Sequence, residues 1–297
     1  SDDNISCLLV YVESTPPQQQ EEIEQSLLSK RILPVLEPGM KVEGFEVSRK
    51  LHESTRSHLY LVKHVETQEV RVLKVPSENF SDDSLYLQGF VRESWLGKRL
   101  EHPNVMRVFA ASEQSQYLYH FCEFVEGQTL EDWMHDNPQP TIAQIRDIAK
   151  QVIAALRSFQ RLQIVHRDLK PDNIMIDAQG KITLIDYGSA YVASLAENAD
   201  YITEDFPQGE LHYTAPETLR TMHSDHQSDL FSLGVILYQL LTGQLPFKPK
   251  SRSQALSADY SQWLYKPVNT YRSDLPLWVD FALNQATQPN PKLRYQA

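Results

Sequence analysis

The feature that most restricts how this chain can fold is a switch of hydrophobic period near Gly127. Ahead of it, Phe45 to Leu51, Leu59 to Val65 and Arg71 to Val75 alternate or run apolar between short polar breaks, as antiparallel strands do. Phe80 to Leu100 reads as one helix, and Val105 to Ala110 and Tyr117 to Val125 as two more strands. Behind the switch, Ile142, Ile145, Ile148, Ala149, Val152, Ile153, Leu156 and Phe159 recur at helical spacing, which gives one buried stripe. Ser228 to Leu241 is apolar nearly all round, as a helix enclosed in the core of a larger lobe is. A sheet-rich lobe followed by a helical lobe leaves a cleft between them, the usual place for a ligand.

A chain of 297 residues holds one large two-lobed domain or two small ones. Its net charge of −11 argues against nucleic acid as the main partner, because phosphate backbones attract basic surfaces. The two cysteines, Cys7 and Cys122, are far apart and form no metal-ligand spacing, so a reducing, cytoplasmic setting without disulfides is expected. The opening Ser1-Asp2-Asp3 lacks the basic start and apolar core of a signal peptide. The longest apolar stretch, around Leu233 to Leu241, is too short to span a bilayer.

Asn4 to Val12 reads as a single strand, and a lone strand has no partner of its own. Pro16-Pro17-Gln18-Gln19-Gln20 and the acidic, helix-prone stretch to about Lys30 read as a linker.

The densest chemistry lies in His166-Arg167-Asp168-Leu169-Lys170-Pro171-Asp172-Asn173. It is followed by the apolar strand Ile182 to Ile185 and by Asp186-Tyr187-Gly188. Ala215-Pro216-Glu217 and Ser228-Asp229-Leu230-Phe231 come next. Upstream stand Val72-Leu73-Lys74 on a strand, Glu93 on the helix, and His102-Pro103-Asn104-Val105. In order and spacing these segments resemble the protein kinase family.

The resemblance covers residues from about 41 to the end. It implies an α+β, two-lobed fold with a small antiparallel-sheet N-lobe carrying one helix (about 41–124) and a larger helical C-lobe (about 125–297). It also implies Mg²⁺ and ATP as cofactors and a protein as substrate. Phosphoryl transfer needs positioning and charge neutralisation more than covalent help from the protein. On this likeness Asp168 would accept or orient the hydroxyl proton, and Lys170, a Ser/Thr-kinase signature, would touch the transferring group. Asn173 and Asp186 would hold Mg²⁺ as hard oxygen ligands. Lys74 would grip the α- and β-phosphates, with Glu93 as its ion-pair partner. Leu51, Leu59 and Val72 would roof the adenine slot and Met175 floor it. Cys122 would be the gatekeeper, and Glu123 and Val125 would offer hinge main-chain groups. Glu217 would pair with Arg294, and Asp229 would brace the His166–Arg167 turn.

Three places depart from the family pattern. The loop Leu51-His52-Glu53-Ser54-Thr55-Arg56-Ser57-His58-Leu59 has no glycine where close backbone approach to phosphate is usual. Ser54 and Ser57 hydroxyls, or positive charge from His52, Arg56 or His58, would have to substitute. Gly97 stands where a larger apolar residue packs behind the ion pair. Glu210 stands where a threonine bonds the catalytic pair. Arg167 implies control by a phosphate at Ser194, Tyr201, Thr203 or Thr214, or a standing anionic partner among Asp200, Glu204 and Asp205.

Asp3-Asn4-Ile5-Ser6 and the strand after it resemble the last strand of metal-dependent Ser/Thr protein phosphatases, with Asp3 matching a metal ligand. Together the two likenesses resemble bacterial bifunctional kinase/phosphatase proteins. They imply a phosphatase remnant at 1–13, a linker at 14–40 and a kinase domain at 41–297 whose final helix is cut short. A fused phosphatase would then be a partner, and any membrane tether would lie outside this chain. Two other readings stay open. One is a pseudokinase-like nucleotide-binding module that regulates the phosphatase. The other is a small-molecule kinase of the aminoglycoside type, against which Lys170-Pro171 and Ala215-Pro216-Glu217 argue.

Overall fold

The computed structural model describes residues 27–296 apart from 54, 113, 193–209 and 222. Asp3 with its strand, Ser54, Ser194, Asp200, Tyr201, Thr203, Glu204 and Asp205 lie outside the described residues. Six strands build the N-lobe sheet in the order β2-β3-β4-β5-β8-β6: β2 (Lys41–Val42), β3 (Phe45–Glu53), β4 (Ser57–His64), β5 (Val70–Pro76), β6 (Val108–Ala110) and β8 (His120–Glu123). Two further strands, β1 (Arg31–Ile32) and β7 (Tyr117–Leu118), pair in parallel beside it.

Alternation along the strands assigns the two faces of this sheet. Tyr60, Val62, Leu73, Val75 and Phe121 are buried on one face together with Leu33, Leu36, Phe45 and Val47. Leu59, Val72 and Lys74 take the other, since Leu59 pairs with Lys74 and Val72 with Cys122 across the ladders. This second face receives α1 (Ser84–Gly97) and looks toward the C-lobe.

The helix expected over Phe80 to Leu100 begins late. A 3-10 turn at Glu78–Phe80 comes first, and Asp83 then caps α1 by accepting from the Tyr86 amide at 3.0 Å. The strand expected over Tyr117 to Val125 splits at Tyr119, because β7 turns away to pair with β1 while β8 joins β5 and β6.

Gly127 marks the passage to the C-lobe with φ of 125°, and a Cβ there would meet the Ile176 carbonyl, so only glycine fits. Beyond it come β9 (Gln128–Thr129), α2 (Leu130–Asp136) and α3 (Ile142–Arg161), which carries the expected apolar stripe and starts at a Thr141/Gln144 capping box. Short strands β10 (Ile164–Val165), β11 (Ile174–Ile176), β12 (Ile182–Leu184) and β13 (Tyr191–Val192) frame the cleft floor. Helices α4 (Pro216–Thr221), α5 (His226–Thr242), α6 (Arg252–Ser257) and α7 (Leu277–Ala286) complete the lobe. As its composition predicts, α5 is buried on most sides, with Phe231, Val235, Ile236 and Tyr238 fully enclosed. The lobes are also strapped together behind the cleft: Asn104 and Met106 exchange main-chain hydrogen bonds with Leu184 at 2.8 and 2.9 Å. Among the described residues no helix is long and apolar enough to cross a membrane.

Candidate active site

Lys74 projects from β5 toward α1, where its Nζ lies 2.6 Å from Glu93 Oε2 and 3.4 Å from Asp186 Oδ1. Glu93 is almost wholly buried. Burial pushes its carboxyl up, but Lys74 and His120 outweigh that and hold it down to about 2. Burial alone would lower the Lys74 ammonium; Asp186 and then Glu93 reverse this, so it stays charged. The ion pair is thus formed with α1 against the sheet.

The second cluster rises from the turn between β10 and β11. Asn173 Nδ2 donates to the Asp168 carbonyl at 2.8 Å and to its Oδ2 at 3.0 Å. Lys170 Nζ lies 3.8 Å from Asp168 Oδ2. The Glu210 amide donates to Asp168 Oδ1 at 3.3 Å, and its carboxylate lies 4.0 Å from Lys170. Burial raises the Asp168 carboxyl, Lys170 opposes the shift, and the nearby charge of Asp186 adds to it. The turn is strained at Arg167, whose φ is 69°, and Asp186, beyond β12, sits at a positive φ of 56° as well. Asp229 of α5 braces the turn by accepting from the His166 and Arg167 amides at 2.8 and 3.0 Å. Desolvation of that buried carboxylate raises it to about 6 despite those bonds.

The residues expected to enclose adenine, Leu51, Leu59, Val72, Met175, Glu123 and Val125, are all half-buried, as the walls of an open cleft are. Val72 and Val125 also touch the main core. Cys122 is buried opposite Val72, and burial holds its thiol protonated. The Glu123 amide is taken by the Arg107 carbonyl at 2.9 Å, and its carboxylate accepts from the Arg107 amide at 3.2 Å.

The loop departs from expectation in its charges. His58 alternates onto the sheet face opposite Lys74, buried beside Tyr60, and the Arg56 guanidinium lies 5.8 Å from the Phe80 ring centroid. His58 is therefore not a phosphate ligand, whereas His52 and Arg56 are exposed. Thr214 is buried, and its hydroxyl donates to the Glu210 carbonyl at 2.9 Å, which removes it as a modification site. Arg167 has its guanidinium 6.0 Å from the Tyr191 ring centroid.

Three features escaped the sequence reading. His120 is fully buried behind Glu93, its Nε2 3.5 Å from Oε2; a lone histidine in an apolar strand gave no signal. Gly89 of α1 packs directly on Gly188, where a Cβ on Gly89 would come within 3.0 Å of the Gly188 carbonyl. Arg92 donates to the Ala190 carbonyl at 3.1 Å, tying the same helix to the segment after Asp186.

A lysine–glutamate pair across a sheet–helix contact, facing an Asp–Asn–Lys turn over a cleft, is the arrangement found in the protein kinase fold. The profile of the protein kinase domain matches residues 45–291, and the chain belongs to that family. Its relatives include the serine/threonine-protein kinase PrkC of Bacillus subtilis, 27% identical over 87% of this chain and 39% of the relative. The probable serine/threonine-protein kinase PknB of Lactococcus lactis is 28% identical over 75% of this chain and 35% of its own length. The serine/threonine-protein kinase pkn3 of Myxococcus xanthus is 31% identical over 70% and 39%. The chain thus spans well under half the length of these curated relatives.

Proposed function

We propose that this chain is an active protein Ser/Thr kinase that transfers the γ-phosphoryl group of ATP to protein hydroxyls. The observation that carries the reading is the simultaneous pairing of Lys74 with Glu93 and Asp186, next to Asp168 held by Asn173. Lys74 and Glu93 act as a unit: the buried carboxylate fixes the ammonium where it can hold the α- and β-phosphates. As the acceptor oxygen bonds to phosphorus, its proton passes toward Asp168 and the bond to the β–γ bridging oxygen breaks, leaving ADP. Lys170 lies within reach of Asp168 and offsets the charge gathering on the transferred group.

Mg²⁺ fits the residues present. Asn173 spends its NH₂ on Asp168, so its carbonyl oxygen is the atom left for a cation. Asp186 is half-exposed in the cleft and contributes a hard carboxylate. Among the described residues no three His, Cys, Asp or Glu side chains gather into a metal cluster. Asn173 and Asp186 would hold the ion, which would neutralise the charge of the nucleotide phosphates.

Leu51, Leu59, Val72 and Met175 serve as the adenine walls, with Glu123 and Val125 at the hinge. The wider reading is a cytoplasmic kinase acting on protein substrates, beside a phosphatase domain to which residues 1–13 belong, with any membrane tether elsewhere. One observation favours a second reading, a nucleotide-binding regulator without transfer. The loop over the phosphates has no glycine, His58 turns to the other face of the sheet, and the Arg56 guanidinium lies by Phe80. Labelled ATP with Mg²⁺ and a generic protein substrate separates the two, beside Asp168→Ala and Lys74→Ala. Label on Ser or Thr that falls by about a hundredfold or more in both variants supports the kinase. Nucleotide binding without label transfer supports the regulator.

A further inference from the structure

The stretch ahead of β2 is not a free tether: residues 27–36 are folded onto the N-lobe. Leu33 and Leu36 are buried in the outer sheet core, and the Leu36 amide donates to the Tyr60 hydroxyl at 3.1 Å. Ahead of them, Arg31 and Ile32 add a parallel strand to Tyr117 and Leu118, and the Arg31 amide bonds the Gln116 carbonyl at 3.0 Å. This pairing sets Leu27, Leu28 and Ile32 against a separate apolar cluster of Leu87, Phe90, Val91 and Leu118. Leu87, Phe90 and Val91 lie on α1, the helix that carries Glu93, and the Phe90 ring also packs against His120 behind Glu93, with ring centroids 4.5 Å apart and the planes tilted by 37°.

The cluster is distinct from both main cores and is closed on its outer side by this segment. The closure is partial, because a cavity of about 420 Å³ remains beside it, lined by Leu28, Ile32, Glu78, Ser81, Leu87 and Leu118. A contact of this kind can be separated from its helix without dismantling the lobe. On its inner side α1 is held by Glu93 on Lys74, by Gly89 on Gly188 and by Arg92 on Ala190. Its C-terminal end rests on β6, with Leu96 in the main core and Gly97 against Val108, and the outer segment covers the face that carries Leu87, Phe90 and Val91.

We infer that residues Leu27–Ile32 are a positioning element for phosphoryl transfer: by β-pairing on β7 and packing on α1 they keep Glu93 on Lys74. The inference rests on the kinase reading above for its catalytic consequence. It gives the part of the chain ahead of residue 27 a mechanical handle on the active site. Anything that draws this segment away would loosen α1 and lower turnover without touching a catalytic group.

The test places Leu28→Asp with Ile32→Asp in the full chain, and Leu28→Met with Ile32→Val as the conservative pair. Phosphoryl transfer and amide hydrogen exchange are measured on each, also in a Glu93→Gln background. The acidic pair should lower kcat by about tenfold or more and speed exchange across α1, with α3 and α5 unchanged. The conservative pair should restore both. In the Glu93→Gln background the acidic pair should cost less than about twofold further, because the two changes act through one ion pair. Unchanged α1 exchange and kcat in the acidic pair would overturn the inference. So would equal loss of protection in α3 and α5, or fully additive losses with Glu93→Gln. If the unaltered chain transfers no phosphoryl group, the kinase reading falls instead, and exchange in α1 still decides whether the segment holds the helix.

Discussion

A Cβ built on Gly97 would lie 2.3 Å from Cβ of Val108 and 3.1 Å from the Tyr187 hydroxyl, so the glycine leaves room that the valine and the tyrosine occupy. The space behind α1 that a larger side chain would fill is taken by Val108 and by the tyrosine. The Tyr187 hydroxyl donates to the Met106 carbonyl at 3.0 Å, satisfying a polar atom in a fully buried ring. Helix propensity alone would make Gly97→Ala stabilising by about 1 kcal/mol. The clash with a backbone-anchored Cβ opposes it, since overpacking costs about 1–3 kcal/mol. Gly97→Ala is therefore expected to be destabilising in denaturant titration, and the sign decides the account. His166 offers a second test, because neither ring nitrogen has a partner and burial pulls the imidazole down to about 4. An unfolded histidine titrates near 6.5, so this group's stability is complete above that pH and is lost as pH falls toward 4. At pH 5 the loss is about 2 kcal/mol. His166→Phe should keep the ring contact with Phe159 and gain about 2 kcal/mol over the native chain at pH 5 relative to pH 8. Asp229, raised to about 6, carries the opposite trend and stays in both proteins, so the difference between them isolates the histidine.

Elements placed by local pattern were readable from the sequence; elements placed by partners were not. The stripe on α3, the all-round apolar α5 and the strands β3, β4 and β5 follow from periodicity alone, because each buries a face that its own residues define. The Asp168–Asn173 turn was legible because its residues crowd into one short string. The break at Tyr119 was hidden, since it depends on β1 arriving from far upstream to claim β7. The orientation of His58 was hidden too, because strand alternation and not residue chemistry decides which face it takes. A distant pair that was legible, Glu217 of α4 with Arg294, is bidentate at 2.6 and 2.5 Å. Arg294 also donates to the Gln227, Gln288 and Pro289 carbonyls, so it ties the residues after α7 to the start of α5. With both partners buried, Glu217→Gln leaves the guanidinium without its countercharge, and a loss of about 3–5 kcal/mol in unfolding free energy is expected. Arg294→Lys should also lose stability, because a point charge cannot serve five acceptors arranged for a planar fork.

At the scale of the whole molecule, the cleft carries more negative than positive charge before any nucleotide enters. Lys74 faces both Glu93 and Asp186, while Lys170 faces both Asp168 and Glu210. A nucleotide diphosphate or triphosphate adds further negative charge, so its binding requires a cation to bring it next to Asp186. Any ligand that binds the folded state alone stabilises it by mass action, which at a hundredfold excess over Kd amounts to about 2.7 kcal/mol. Mg·ADP at that excess should thus raise the unfolding free energy by this amount. ADP with a chelator should recover only a small part of it. Asp186→Asn should make the two conditions more nearly equal, because the neutral amide leaves Lys74 and Glu93 in place while removing the negative charge that attracts the cation and repels the phosphates. Asn173→Ala should act in the same direction and, by freeing Asp168, also loosen the catalytic turn. Equal stabilisation with and without Mg²⁺ in the unaltered chain would mean that nucleotide enters by another route than the one these two side chains define.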